Sequence, residues 1–213
     1  MKRRNLLTQG AAALDLPLPA DAQGRLLCYL ELLERWNRVF NLTAVRDPER
    51  MVTAHLLDCL AVVPHLPPGT LADVGSGAGL PGIPLAVARP ESRITLVETN
   101  QKKVAFLRQT VAELGLGNVT LYDGRVEDWD SAEIRDAVIS RAFSPLGEFL
   151  RLTETRVVPG GTWLAMKGTH PQQELEKIPQ GYEVEVIPLR VPGLQAERHL
   201  VKLKRLGQPR SRP

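Results

Sequence analysis

The sequence predicts an α/β protein: a mostly parallel, doubly wound, seven-stranded sheet, preceded by a helical extension and closed by an antiparallel hairpin. Three observations lead there. The first third of the chain carries apolar residues at helical spacing. From residue 70 onward, short apolar strand patterns alternate with helical ones, as in strand–helix–strand units of a parallel sheet. The chain then closes on two consecutive strand patterns joined by a short loop, which pair as antiparallel neighbours.

Leu26, Leu30, Leu33, Trp36 and Phe40 recur at steps of four and three and mark one face of a helix over about 21–40. Trp36 and Phe40 share that stripe with leucines and are assigned to the core. Asp47 and Pro48 supply an N-cap and a first-turn proline, and Val52, Leu56, Cys59 or Leu60, and Val63 continue as a second stripe. His65-Leu-Pro-Pro-Gly69 ends it, so residues 1–68 are expected to form a helical extension and 69–213 the main domain. Strands follow over 71–74, 93–98, 119–122, 136–140 and 162–166. Helices are expected up to about 88, over 101–114 with Gly115 as its stop, and over 146–157, with a turn at 158–161. Residues 182–191 and 198–204 form the terminal hairpin.

Composition narrows the function classes. Hydrophobic residues make up 43% and charged residues 24%, which excludes a generally disordered or collagen-like chain. No apolar run reaches the length of a membrane span. The basic N-terminus leads into a stretch interrupted by Thr8, Gln9 and Asp15, which is not the pattern of a signal peptide. Cys28 and Cys59 form neither a CxxC pair nor a disulfide framework, so a reducing, cytoplasmic setting is expected. The net charge of +3 conceals an asymmetry. Lys2, Arg3 and Arg4 open the chain and Lys202, Lys204, Arg205, Arg210 and Arg212 close it, while the body between them is net acidic. Basic ends are read either as solubilising or as electrostatic arms for nucleic acid.

Ligands of open α/β sheets bind beyond the carboxyl ends of the strands. The first strand runs into Asp73-Val-Gly75-Ser-Gly77-Ala-Gly79-Leu-Pro-Gly82, a loop whose glycines let backbone approach a ligand. Glu98 ends the second strand, where a carboxylate could take two ribose hydroxyls. Asp123-Gly-Arg-Val-Glu-Asp-Trp129 follows the third, and suits the edge of an adenine. Two nucleoside ligands compete for this arrangement. Gly77-Ala-Gly79-Leu-Pro-Gly82 matches the dinucleotide pattern, but that pattern wants its first glycine directly after the strand, where Gly75 stands. Glycines at 75, 77 and 79 behind an acid suit S-adenosylmethionine better, because it carries no pyrophosphate needing a helix N-terminus. A P-loop is excluded, since Ile83 stands where its lysine belongs. The fourth strand ends in Ser140-Arg141-Ala142-Phe143, with neither a Pro-Cys nucleophile nor an Asp/Asn-Pro-Pro-aromatic clamp. An acceptor with a free lone pair, such as guanine N7, would need neither.

Trp36-Asn-Arg-Val-Phe-Asn-Leu-Thr43, His55-Leu-Leu-Asp58, the segment from Asp73 to Pro84, Val138-Ile-Ser-Arg-Ala142 and Met166-Lys-Gly168 together resemble the RsmG (GidB) family. These are guanine-N7 methyltransferases of bacterial small-subunit ribosomal RNA. The resemblance covers nearly the whole chain and implies a class I, Rossmann-like methyltransferase fold. It implies methyl transfer from S-adenosylmethionine to N7 of a guanine in the 530 loop of 16S rRNA, with S-adenosylhomocysteine as product. The 30S subunit is the expected partner, without a membrane, and the protein is expected to be a monomer. Asp73, Gly75, Ser76, Gly77, Gly79, Leu80, Glu98, Gly124, Arg125, Val126, Glu127 and Arg141 are the expected cofactor residues. Arg125, Arg141 and Lys167 are expected on the acceptor side, where an arginine must leave N7 free. Asn41 and His55 are expected to wall the guanine. His55 and Cys59 lie four apart without further ligands, so no metal is expected; Lys102 and Lys103 are read as a solvated helix start. An NAD-dependent dehydrogenase and a non-catalytic ribosome assembly factor are the competing readings.

Overall fold

The computed structural model describes residues 1–130 and 133–207. Gln208 to Pro213, including Arg210 and Arg212 of the expected basic tail, lie outside the described residues. The extension holds α1 (Lys2–Ala13), α2 (Ala20–Phe40), α3 (Pro48–Met51) and α4 (Asp58–Leu60). The sheet and its helices follow as β1 (Thr70–Val74), α5 (Gly82–Ala88), β2 (Arg93–Glu98), α6 (Gln101–Glu113) and β3 (Val119–Asp123). Beyond them come β4 (Arg135–Arg141), α7 (Leu146–Thr153), β5 (Val157–Lys167), α8 (Gln172–Leu175), β6 (Tyr182–Pro188) and β7 (His199–Arg205). The sheet order is β3-β2-β1-β4-β5-β7-β6; β7 runs antiparallel to both of its neighbours and the remaining pairs are parallel.

Local chemistry explains the boundaries. Asp47 caps α3, accepting the Arg50 N–H at 2.7 Å, as its position ahead of Pro48 predicts. The Asn100 side chain does the same for α6 through Lys102 and Lys103. Gly115, with φ +59°, stops that helix in the left-handed conformation. The second apolar stripe is not a plain α-helix. Its centre, Val52–Leu57, is π-helical, and the wider turn buries His55 and Asp58 beside Val52, Leu56 and Leu60. The turn expected at 158–161 is instead the bulged start of β5, whose register against β4 shifts between Arg135 and Ala137. Gly161 permits this, because a Cβ there would lie 2.8 Å from the Asp136 carbonyl oxygen.

Strand alternation sorts the core into two faces. Leu71, Ile94, Leu96, Ile139 and Leu164 face one side and pack with Leu26, Leu30, Leu56, Ile83, Phe106 and Leu107. Ala72, Val74, Val97, Val138 and Trp163 face the other, under Phe149 and Leu150 of α7. The first cluster therefore runs without interruption from the extension into the sheet. Trp36 closes its edge by packing on Phe106 and donating its indole N–H to Gln109 at 3.0 Å. Phe40 departs from its expected core role: it is 38% exposed at the end of α2, with Lys102 Nζ 5.8 Å from its ring centroid.

A buried bond links the extension to the loop after β1. The Tyr29 hydroxyl donates to the Ala78 carbonyl at 2.7 Å. Removing only that hydroxyl, in Tyr29→Phe, leaves a buried carbonyl unsatisfied and should cost about 1–3 kcal/mol. A urea titration with an unchanged midpoint would contradict this.

Candidate functional site

The chain crosses from β3 on one side of β1 to β4 on the other, so the sheet's switch point lies between β1 and β4. A cavity of about 520 Å³ opens there, at the carboxyl ends of the strands. Val74 and Gly75 at the end of β1, Glu98 and Thr99 at the end of β2, and Gly124 to Glu127 after β3 line it; Ala142 and Phe143 after β4 face them. Lys103 of α6 and Glu148, Arg151 and Leu152 of α7 and its end complete the wall. The sequence pattern led to the first three groups. It missed the α7 side chains and Phe143, which carry no motif, and it treated Lys103 as merely solvated.

Two carboxylates hold the glycine loop. Asp73 is fully buried, and its Oδ2 accepts the Gly82 N–H at 2.9 Å. Its Oδ1 has no partner among the described residues, and burial pushes the carboxyl up to about 7. Glu98 Oε2 accepts the Gly77 N–H at 2.8 Å, while Oε1 accepts those of Thr99 and Asn100, both at 2.9 Å. A carboxylate has about four acceptor positions. With three committed to backbone, Glu98 retains room for one hydroxyl rather than the two expected from sequence. At Gly75, φ is +70° and a Cβ would come within 2.4 Å of the Phe143 ring. The missing side chain thus lets that ring close over the loop.

The expected cofactor residues separate into two tiers. Gly75, Glu98, Gly124, Arg125, Val126 and Glu127 are on the cavity wall. The side chains of Asp73, Ser76 and Leu80 support the loop from beneath. Ser76 Oγ donates to the Asp73 carbonyl at 2.8 Å, and Leu80 joins the core. Gly79 belongs with them, since a Cβ there would sit 2.6 Å from Ile83 and 2.9 Å from Leu107. Arg156, buried and unremarked in sequence, braces the loop after β3 by donating to the carbonyls of Val126 at 3.0 Å and Glu127 at 2.9 Å. The Asp73–Gly82 bond also bears on the dinucleotide reading: the first N–H of α5, which a pyrophosphate would need, is already taken by a carboxyl group.

The expected acceptor residues are all tied down except Arg125, which is exposed on the cavity rim. Arg141 turns toward the extension, donating to Asp58 Oδ2 at 3.2 Å and the Ala54 carbonyl at 3.3 Å. Lys167 pairs with Glu174 at 2.7 Å, and the same Glu174 oxygen accepts the Leu146 N–H that opens α7. Asn41 ends α2 at φ +50° and accepts from Arg46 at 2.8 Å. His55 is buried, with Nε2 2.9 Å from the Thr43 hydroxyl and Nδ1 3.0 Å from the Ala54 carbonyl. Neither Asn41 nor His55 lines the cavity. Of the six described terminal cations, four are engaged rather than loose: Lys2, Arg3, Lys202 and Arg205 pair with Glu49, Glu34, Glu185 and Glu154.

Burial, then the nearby Arg141 charge, lower the His55 pKa to about 4. Its folded value lies below the ordinary one, so the stability it contributes is complete above about 6.5 and is lost as pH falls through about 4. Imidazole NMR should therefore show a neutral His55 ring from about pH 8 down to about pH 5.5; protonation within that range would contradict the burial argument.

Known proteins resemble the chain at two levels. The family model described as GidB, rRNA small subunit methyltransferase G, matches residues 22–201. Proteins named ribosomal RNA small subunit methyltransferase G are similar over nearly their whole length. The one from Methylobacillus flagellatus is 52% identical over 92% of this chain and 96% of its own, and that from Aromatoleum aromaticum 53% identical over 93% and 97%. The Neisseria meningitidis serogroup B protein is 49% identical over 96% and 100%. Among solved structures, the glycopeptide N-methyltransferase MtfA complexed with S-adenosylmethionine aligns with a TM-score of 0.62 at 13% identity, over 72% of this chain and 88% of that one. Aeropyrum pernix fibrillarin with natively bound S-adenosylmethionine aligns at 0.55 and 15% identity, over 69% and 72%. At such identities these structures speak for the fold, which is that of class I methyltransferases.

Proposed function

The chain belongs to the GidB family of rRNA small subunit methyltransferases, and from that membership we propose how its cavity carries out methyl transfer to ribosomal RNA. The enzyme is an S-adenosylmethionine-dependent rRNA methyltransferase. We read its acceptor as N7 of a guanine in the 530 loop of 16S rRNA, within the 30S subunit, and the enzyme as acting as a monomer. We also read residues 1–68 as an extension of the catalytic fold rather than a separate unit, which the shared core supports.

The observation that carries this reading is the bond from the Gly77 N–H to Glu98, which ties the glycine loop after β1 to the carboxylate that lines the cavity at the end of β2. It sets one carboxylate oxygen and the open glycine backbone on the same wall, as a ribose and an amino-acid moiety on one ligand require. When bound, S-adenosylmethionine supplies a methyl group on a positively charged sulfur. The chain's own residues then bind and align. Glu98 accepts a ribose hydroxyl. Val126 and Phe143 offer apolar surface to flat groups, and Arg125 stands at the rim for phosphate or O6. Guanine N7 has a free lone pair at neutral pH, so its attack needs no general base; the rate gain comes from in-line alignment and electrostatics. His55, buried, held neutral and bonded to Thr43 and the Ala54 carbonyl, is suited to a structural role rather than to proton transfer. Arg141 and Lys167 remain the proposed acceptor-side cations.

Glu98→Ala removes a charged acceptor from the cofactor and from three backbone N–H groups. Calorimetry should show the S-adenosylmethionine Kd rising on the order of ten- to a hundredfold, as for loss of hydrogen bonds to a charged group; an unchanged Kd would refute its ribose role. Mass-spectrometric mapping after reaction with unmodified 30S subunits should find one methyl on N7 of a 530-loop guanine. A methyl on any other atom overturns the acceptor assignment, and no labelled methyl at all would favour the assembly-factor reading.

A further inference from the structure

Asp58 opens α4 and is 2% exposed, yet the cofactor cavity does not include it. Its two oxygens serve two arginines from distant parts of the chain. Oδ2 accepts from Arg141 at the end of β4 at 3.2 Å, and Oδ1 accepts from Arg198, immediately before β7, at 2.8 Å. A carboxylate used purely as a structural anchor for one arginine is commonly gripped by both arms of the guanidinium fork. Here each arginine offers a single N–H to it. Arg141 spends the same Nη1 on the Ala54 carbonyl, and Arg198 spends Nη1 on the Glu197 carbonyl at 2.7 Å. Among the described residues, Nη2 of both arginines makes no hydrogen bond, and both side chains keep about a quarter of their surface exposed, 23% and 25%.

The three groups join elements that lie far apart in the sequence. The pivot lies in the extension, one arginine ends β4, and the other stands immediately before β7, the strand next to β5. Arg198 Nη1 is also 3.9 Å from the Cβ position of Gly168, directly after Lys167. His55, one turn before Asp58, stays neutral and adds no charge. One carboxylate against two guanidiniums leaves a partly exposed positive charge on the acceptor side. Its direction is fixed by a buried pivot.

We infer that Asp58 is a positioning residue for methyl transfer, holding Arg141 and Arg198 in one fixed orientation toward the incoming RNA. The inference rests on the proposed acceptor-side role of Arg141. It assigns to Asp58 no contact with cofactor or RNA. Its effect passes through the two arginines, so it should appear in the chemical step and not in cofactor affinity.

Asp58→Asn keeps the shape and removes the charge that orders both arginines. With saturating labelled S-adenosylmethionine and unmodified 30S subunits, single-turnover methyl incorporation should fall by about ten- to a hundredfold, the upper figure being the scale for a misplacement of around 1 Å. The cofactor Kd should stay within about twofold of wild type, since the lost group acts on alignment rather than on uniform binding. Arg198→Lys, which keeps the charge but loses the guanidinium geometry, should show the same split. The double variant should be no slower than the slower single one, because both changes break one unit. Wild-type incorporation in Asp58→Asn overturns the inference, as does a rate loss matched by an equal loss of cofactor binding. If Asp58→Asn does not fold, Arg198→Lys alone decides: a wild-type rate there overturns it. Total incorporation is read independently of the methylated position, so a wrong acceptor assignment would appear in the mapping and leave this test intact.

Discussion

The binding end of this molecule depends on carboxylates that hold backbone N–H groups. Asp73 takes the first N–H of α5, and Glu98 takes the Gly77 N–H from across the strand gap. A loop with left-handed glycines at 75, 77 and 79 has few conformational restraints of its own. Two acids convert that freedom into one shape, and the first does so from a fully buried position where charge is disfavoured. Everything else near the site is arranged around the result. The Phe143 ring closes over Gly75, Tyr29 reaches from the extension to Ala78, and Arg156 fixes the opposite wall through the carbonyls of Val126 and Glu127.

The electrostatics follow a similar division between holding and presenting. Several cations are engaged: Lys167 with Glu174, Arg141 and Arg198 with Asp58, and four of the terminal ones with glutamates. The exposed pairs among them, Lys2 with Glu49 and Arg205 with Glu154, contribute little to stability. Their consequence is spatial, because they restrict where positive charge faces solvent. Arg125, exposed on the cavity rim, is the clearest of the cations that face outward.

The sheet was legible because strand and helix patterns switch period cleanly after Gly69. The expected bounds of the second strand, 93–98, match β2 residue for residue. The loop glycines, Glu98 and the segment after β3 could also be found, since each sits at a strand end. Other features were hidden by the nature of the signal. A π-helical turn leaves the apolar stripe intact while changing which polar residues go inside, so the burial of Asp58 could not be read from periodicity. The bulge at the start of β5 resembles a turn because Pro-Gly-Gly serves both. The Glu98 carboxylate looked free for two hydroxyls because backbone donors do not show in a sequence. Partners as distant as Asp58 and Arg198 leave no local trace at all.

The order of strands in the sheet carries a consequence for how this protein is made. Among the described strands β7 is synthesised last, yet it lies inside the sheet, between β5 and β6. Until His199 to Arg205 leave the ribosome, β5 presents an unpaired edge and β6 has no neighbour to hold it. A premature stop or a stalled chain just short of Arg198 would therefore remove more than one strand. It would expose two adhesive sheet edges on an otherwise completed domain, and it would leave Asp58 with only one of its two arginines.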